Sequence, residues 1–107
     1  MNWEQKLAAC KALRPYGTGL RMRSPGDWYV EQIGLEVIEE GHRGMLVGRY
    51  GNGATPEAAV EDHWAKLTAS DVAAVVLNAM GPDRREVRWN GFMWEDLPTP
   101  SQPGGSA

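Results

Sequence analysis

Few residues in this chain combine a reactive side chain with a spacing that chemistry could use. His42 and His63 are the two histidines. Either would need carboxylates such as Glu39, Glu40 or Asp62 to converge on it before it could hold a metal or act as a general base. The neighbouring acids Glu39-Glu40 and Glu61-Asp62 point apart on any strand or helix, so they do not form a shared acid pair. No His-Glu-x-x-His or Gly-x-Ser-x-Gly pattern is present. His42 falls in a turn and His63 on a helix flank, where a solvated or pH-sensitive role is expected. Gly48, Gly51 and Gly53 precede a helix start as in a phosphate cradle. No Gly-Lys-Ser/Thr follows them, Pro56 removes an N–H donor, and Glu57 places negative charge where the anion would sit. These glycines read as a strand-to-helix connection. Cys10 is the one cysteine, which excludes an internal disulfide and falls on the apolar stripe of a helix. No catalytic residue, metal or cofactor is expected.

The arginines are the remaining candidates. Residues 1–26 carry a local charge of +4 and residues 27–71 one of −6, within a total of −3. Such a dipolar surface usually means solvated faces of opposite sign. Arg84, Arg85 and Arg88 precede Met93 in a segment that reads as a hairpin, and these four residues are the expected partner-binding patch. Arginines 21 and 23, taken with 84, 85 and 88, could alternatively line a sheet surface for nucleic acid, provided Glu31, Glu86 and Glu95 do not interrupt the stripe.

The elements that carry these side chains follow from periodicity and turn chemistry. Asn2 with Gln5 makes a capping box for a first helix whose Trp3, Leu7, Cys10 and Leu13 share one stripe, ended by Pro15 and Gly17. Leu20 and Met22 alternate with Arg21 and Arg23 in a strand, Ser24 to Asp27 turn the chain, and a long second strand runs from Trp28 to about Ile38. Tyr29, Ile33, Leu35 and Val37 lie in phase along it, with Gly34 as the site of a bulge. A third strand is predicted over Met45–Tyr50, and Gly51 to Ala54 should break the sheet. Thr55, Pro56 and Glu57 open a second helix with Val60, Trp64 and Leu67 inward, ending near Ala69. Val72–Met80 reads as a strand. Asn90-Gly91 then suggests a two-residue type I′ turn that sets Trp89 opposite Phe92 and Val87 opposite Trp94, with Arg88 and Met93 on the back. That aromatic face should close against Trp3, Trp64 or Leu67.

The expected architecture is α+β: an antiparallel sheet with two helices on one face, in the order helix, three strands, helix, then two to three strands ending in the hairpin. Residues 1–96 form the single domain, and 97–107, rich in Pro, Gly and Ser, a flexible tail. The order over residues 2–69 resembles the double-stranded RNA-binding domain. Pro56, Glu57, Ala58 and Glu61 stand where that family places phosphate-binding lysines, so its function is not expected here. No apolar run approaches the roughly 20 residues of a membrane span, and the start of the chain lacks signal-peptide features, so a cytoplasmic monomer or homodimer is expected.

The glycine-rich approach to Thr55-Pro56-Glu57-Ala58-Ala59-Val60-Glu61-Asp62-His63-Trp64 and the closing run Arg84-Arg85-Glu86-Val87-Arg88-Trp89-Asn90-Gly91-Phe92-Met93-Trp94 give the chain, over about residues 28–96, a style that resembles small orphan proteins of tailed bacteriophages and prophages. The resemblance implies a non-enzymatic protein-binding role in the host cytoplasm, such as blocking a host enzyme or a defence protein of the CRISPR-effector kind. Five Trp and five Met in one small domain agree with such a role, since large anchors dominate interfaces.

Overall fold

A computed structural model of the protein describes residues 1–98. Helix α1 (Trp3–Leu13) starts at the Asn2–Gln5 capping box, in which each side chain bonds the other residue's backbone N–H. Strands β1 (Thr18–Ser24) and β2 (Asp27–Gln32) form an antiparallel hairpin in which Leu20 faces Val30 and Met22 faces Trp28. Beyond them lie β3 (Leu35–Glu39), β4 (Gly51–Gly53), α2 (Pro56–Leu67), β5 (Val72–Leu77), β6 (Arg85–Trp89) and β7 (Trp94–Asp96). The α+β class and the order of helices and strands are those read from the sequence. The strands, however, divide into two antiparallel sheets, ordered β1-β2-β4 and β3-β5-β6-β7, rather than forming one.

The division happens at Ile33-Gly34. Trp28 to Ile38 is not a continuous strand, because Gly34 adopts φ +74° and turns the chain from the first sheet into the second. The turn also changes the inward phase. Val30 and Gln32 are buried before it, and Leu35 and Val37 after it, which leaves Tyr29 and Ile33 on the outside. The Arg14 guanidinium closes the turn by donating to the Gly34 carbonyl (3.0 Å) and to Asn78 Oδ1 (2.5 Å). A Cβ on Gly34 would run into that guanidinium.

Two further departures concern the middle of the chain. Met45–Tyr50 is irregular and joins the backbone pairing of a sheet only where Val47 and Val37 exchange bonds of 2.8 and 3.0 Å. The strand forms at Gly51–Gly53 instead, paired with β2 from Trp28 to Val30. Glycine is required there because α2 passes directly over it: a Cβ at either position would overlap the backbone of Ala58, Ala59 or His63. Helix α2 itself has Thr55 as N-cap, its Oγ1 accepting from Ala58 N at 3.1 Å, and Pro56 in the first turn.

The helix pair serves both sheets. Cys10, Leu13, Trp64 and Leu67 pack on Leu35, Val37, Val75 and Val87 of the second sheet. Trp3, Leu7, Ala59 and Val60 pack on Leu20, Trp28 and Val30 of the first. The opposite face of the second sheet is covered by Leu46 and Leu97 over Ile38, Ala74 and Val76. Leu97 also donates its N–H to the Glu86 carbonyl at 2.8 Å, so it belongs to the packed structure and not to the tail assigned to 97–107. Residues 99–107 of that tail lie outside the described residues.

The C-terminal hairpin has a different loop from the one its Asn-Gly pair suggests. Asn90 does not take a positive φ, as a type I′ turn demands. Its Oδ1 accepts from the N–H groups of both Phe92 and Met93 at 2.9 Å, an Asx arrangement that spreads the turn over four residues. Trp89 therefore pairs with Trp94 and Val87 with Asp96. A shift of two residues preserves which face Trp94 occupies but moves Phe92 out to 86% exposure. Trp64, Trp89 and Trp94 pack edge to face at centroid separations of 4.8, 5.7 and 5.3 Å, and Trp94 Nε1 donates to the Ala9 carbonyl at 2.9 Å. The hairpin thus closes on Trp64, while Trp3 belongs to the other cluster. Trp94→Ala should lower unfolding free energy by about 3 kcal/mol, and Gly51→Ala by about 2 kcal/mol or more through overpacking. Urea unfolding followed by circular dichroism measures both.

Candidate functional site: a tyrosine-lined groove between the two sheets

The Gly34 turn places side chains on the outside that neither sheet can bury. Ile33, 68% exposed, adjoins the fully exposed Tyr16, and its N–H bonds the Gly17 carbonyl at 2.9 Å. Arg14, Tyr16 and Ile33 line a cleft of about 320 Å³. Ile33 also lines the next cleft, of about 350 Å³, with Glu31, Glu36 and Tyr50. Glu31 and Tyr50 continue into a third, of about 300 Å³, with Arg23, Tyr29 and Asn52. Tyr50 further borders a fourth, of about 410 Å³, with Arg49 and Lys66. The clefts share residues in succession, so they adjoin one another in a grooved surface along the outer face of β2 and across the junction of the sheets.

All three tyrosines of the chain stand in this groove. The five tryptophans instead pack into the two clusters beside the helices. A phenol can keep its hydroxyl in water while offering its ring to a partner, which is the behaviour of interface tyrosines.

The floor of the groove is held by part-buried and exposed charge. Arg49 donates to Glu39 at 2.7 Å, Asp71 at 3.0 Å and the Lys66 carbonyl at 2.6 Å. Burial disfavours its charge, but Asp71 and Glu39 outweigh that and raise its pKa. Lys66 Nζ bonds the Tyr50 carbonyl at 2.8 Å and Asp62 at 2.9 Å, and Asp62 accepts the Asn52 N–H at 2.8 Å. Burial works against the Asp62 carboxylate as well, yet Lys66 and that N–H hold it below the usual range. Arg23 lies 4.7 Å above the Tyr29 ring and donates to Asn52 at 2.5 Å and Asp27 at 3.2 Å.

The expected partner-binding residues are not brought together. Arg85 and Arg88 fall on opposite faces of β6, since strand residues alternate. Arg84 pairs with Glu86 at 3.0 Å, Arg85 pairs with Asp96 at 3.0 Å, and Arg88 stands opposite Glu95. Met93 is in the loop, 55% exposed. The alternative arginine set is split between sheets, with Arg21 and Arg23 on β1. Acids interrupt both parts. Tyr16, Tyr29, Tyr50 and Ile33 carry no motif, and the uninterrupted phase of residues 28–38 assigns Tyr29 and Ile33 to the core.

The histidines also separate. His42 is exposed in the turn after β3, whereas His63 is 1% exposed and far from solvated. Gln32 Nε2 donates to the Cys10 carbonyl (2.7 Å) and to Thr18 Oγ1 (2.8 Å), so its Oε1 must accept. His63 Nε2, 2.9 Å away, is therefore the protonated nitrogen, and Nδ1 is buried without a partner among the described residues. Burial also pushes the Cys10 thiol up to about 12. Among the described residues no three histidine, cysteine or acidic side chains converge as metal ligands, and no helix is long and apolar enough to cross a membrane.

No protein-family model matches the chain, and no curated protein or solved structure matches it either.

Burial, aided by the Lys66 charge and opposed by Asp62, pushes His63 down to about 4 from an ordinary 6.5. As pH falls through 6.5 the unfolded chain takes up a proton at this residue that the folded chain refuses until about pH 4. Stability should therefore be highest above that window and drop by about 3 kcal/mol across it. His63→Gln, whose amide can still donate to Gln32, should flatten this dependence when urea midpoints are compared between neutral and mildly acidic buffer.

Proposed function

We propose that this protein is a non-enzymatic binding module that recognises another protein through the tyrosine-lined groove. One observation carries the reading: the three tyrosines and Ile33 line a row of adjoining outer clefts, while the tryptophans of the same chain are drawn into the packing around the helices. Tyrosine and arginine at the centre of a concave surface are what protein interfaces concentrate. The ion pairs of Arg49, Lys66 and Asp62 beneath the groove fix its shape before a partner arrives, which lowers the ordering cost of association.

Nucleic acid has weaker support as the ligand. Glu31 and Glu36 line the same groove, and the arginines are distributed over two sheets with acids beside them. The resemblance to small phage and prophage proteins extends the proposal to a host protein, a defence effector included, met in a reducing cytoplasm that suits the free Cys10.

The test compares the intact chain with an Ile33→Ser/Tyr50→Ala double variant as bait in a host extract, followed by mass spectrometry and a binding isotherm with the recovered protein. Both substituted side chains are exposed, so the melting temperature should stay close to that of the parent. Affinity for the recovered partner should fall by about 30-fold or more, the consequence of losing a 2 kcal/mol anchor, whereas Arg85→Gln should leave it unchanged. Equal affinity in the double variant, or recovery of nucleic acid with a steep salt dependence in place of protein, overturns the reading.

A further inference from the structure

The two sheets have four edges, and three of them are closed or short. α2 lies over one face of β4, and on the outer edge of that three-residue strand the Asn52 N–H is taken by Asp62 at 2.8 Å. The outer side of β3 is bridged by Val47, and β7 has only three residues. The remaining edge is β1, seven residues long, paired with β2 on one side and with no strand on the other among the described residues. In an antiparallel strand every second residue directs its N–H and C=O away from its partner. About three such pairs along β1 thus have no strand to bond.

We infer that the open edge of β1 is a strand-addition site for an acidic extended segment of the protein partner. This rests on the protein-binding reading and adds how the partner is held. The charge on β1 selects the occupant. Its only ionisable side chains are Arg21 and Arg23. Both lie on the outer face of the sheet, one strand away from Tyr29 and the groove. Arg21 makes no ion pair among the described residues, and its guanidinium lies back over Gly19, where a Cβ would approach Nε to 3.0 Å. The acids of this face, Asp27 and Glu31, are on β2.

An added strand would lie roughly 5 Å from β1 and roughly 10 Å from β2; Asp27 already pairs with Arg23 at 3.2 Å, so Arg21 is the charge left to select the occupant. Directly opposed pairs dominate, so glutamate or aspartate on the added strand is favoured and lysine or arginine is not. The same rule disfavours a second copy of this chain. Antiparallel pairing of β1 with itself would gather the arginines of both copies on one face, like charge against like. Main-chain bonds would supply affinity and the alternating acids specificity, as in other strand-addition complexes.

The experiment titrates the full-length, ¹⁵N-labelled protein with a short peptide of alternating glutamate and threonine. Controls are the lysine–threonine counterpart and a glutamate–threonine peptide N-methylated at every second residue. The expected result is shifted, exchange-protected amides within Thr18–Ser24, binding lost on N-methylation, and affinity lowered about fivefold by Arg21→Glu, with that variant preferring the lysine peptide. Arg21 is exposed, and retained amide dispersion verifies that the variant folds; Arg21→Gln should weaken the acidic peptide without reversing the preference. Four results overturn the proposal: no shifts at millimolar peptide, equal binding of the N-methylated peptide, shifts confined to the tyrosine groove, or a β1-paired dimer in sedimentation without peptide. Tyr50→Ala should leave peptide binding intact, so failure of the edge and failure of the groove are read separately.

Discussion

The contact on which most of the structure depends is the one between Arg14 and the turn at Ile33-Gly34. Arg14 leaves the end of α1, and its guanidinium bonds both the Gly34 carbonyl and the Asn78 side chain. Three pieces of chain that are distant in sequence are fastened at one point: the exit of the first helix, the crossing between sheets, and the end of β5. Gly34 can be crossed in this way because it has no Cβ and accepts a positive φ. With that turn in place the second strand cannot continue, and its residues enter a different sheet with the opposite inward phase.

From that constraint follows the distribution of aromatic residues. The helix pair must cover two sheets rather than one, and its stripe is shared between them: Trp64 goes to the hairpin tryptophans, Trp3 to the first sheet. The indoles fill the large volumes that two sheets meeting a single helix pair create, and Trp94 secures its polar edge on the Ala9 carbonyl. The tyrosines are left outside: Tyr16 in the turn after α1, Tyr29 on the outer face of β2, and Tyr50 in the irregular segment before β4. The groove is thus a by-product of how the sheets part, stiffened by Arg49, Lys66 and Asp62.

Much of the local structure was legible from residues. The Asn2–Gln5 capping box, the Ser24 to Asp27 turn, the Thr55-Pro56 helix start and the strand character of Val75-Val76-Leu77 all depend on interactions within a few positions, and each is present. Errors arose where a local preference met a longer-range contact or a competing local bond. Asn90-Gly91 has the composition of a tight turn, but the Asn90 side chain bonds two following N–H groups and widens it. Gly51–Gly53 has the composition of a break, yet becomes a strand because β2 offers an edge and α2 needs the room. The patch expected from Arg84, Arg85, Arg88 and Met93 is dispersed by strand alternation, by Glu86 beside Arg84, and by Asp96 and Glu95, which lie across from Arg85 and Arg88 only once β6 and β7 are paired.

By itself the sequence determined the α+β class, the helix caps, the Ser24–Asp27 turn, the apolar stripes of both helices and the single buried thiol, because caps, turn residues and period are short-range properties. The tertiary structure alone decided that there are two sheets, that Tyr29 and Ile33 face outward, that His63 is enclosed with Gln32, and that β1 keeps an open edge. Each of these depends on which distant group fills a given space: Arg14 at Gly34, Gln32 at His63, α2 at β4, and no strand at all beside β1 among the described residues. Periodicity records which side of an element is apolar, but not where a neighbouring element interrupts it, and the groove lies at that interruption.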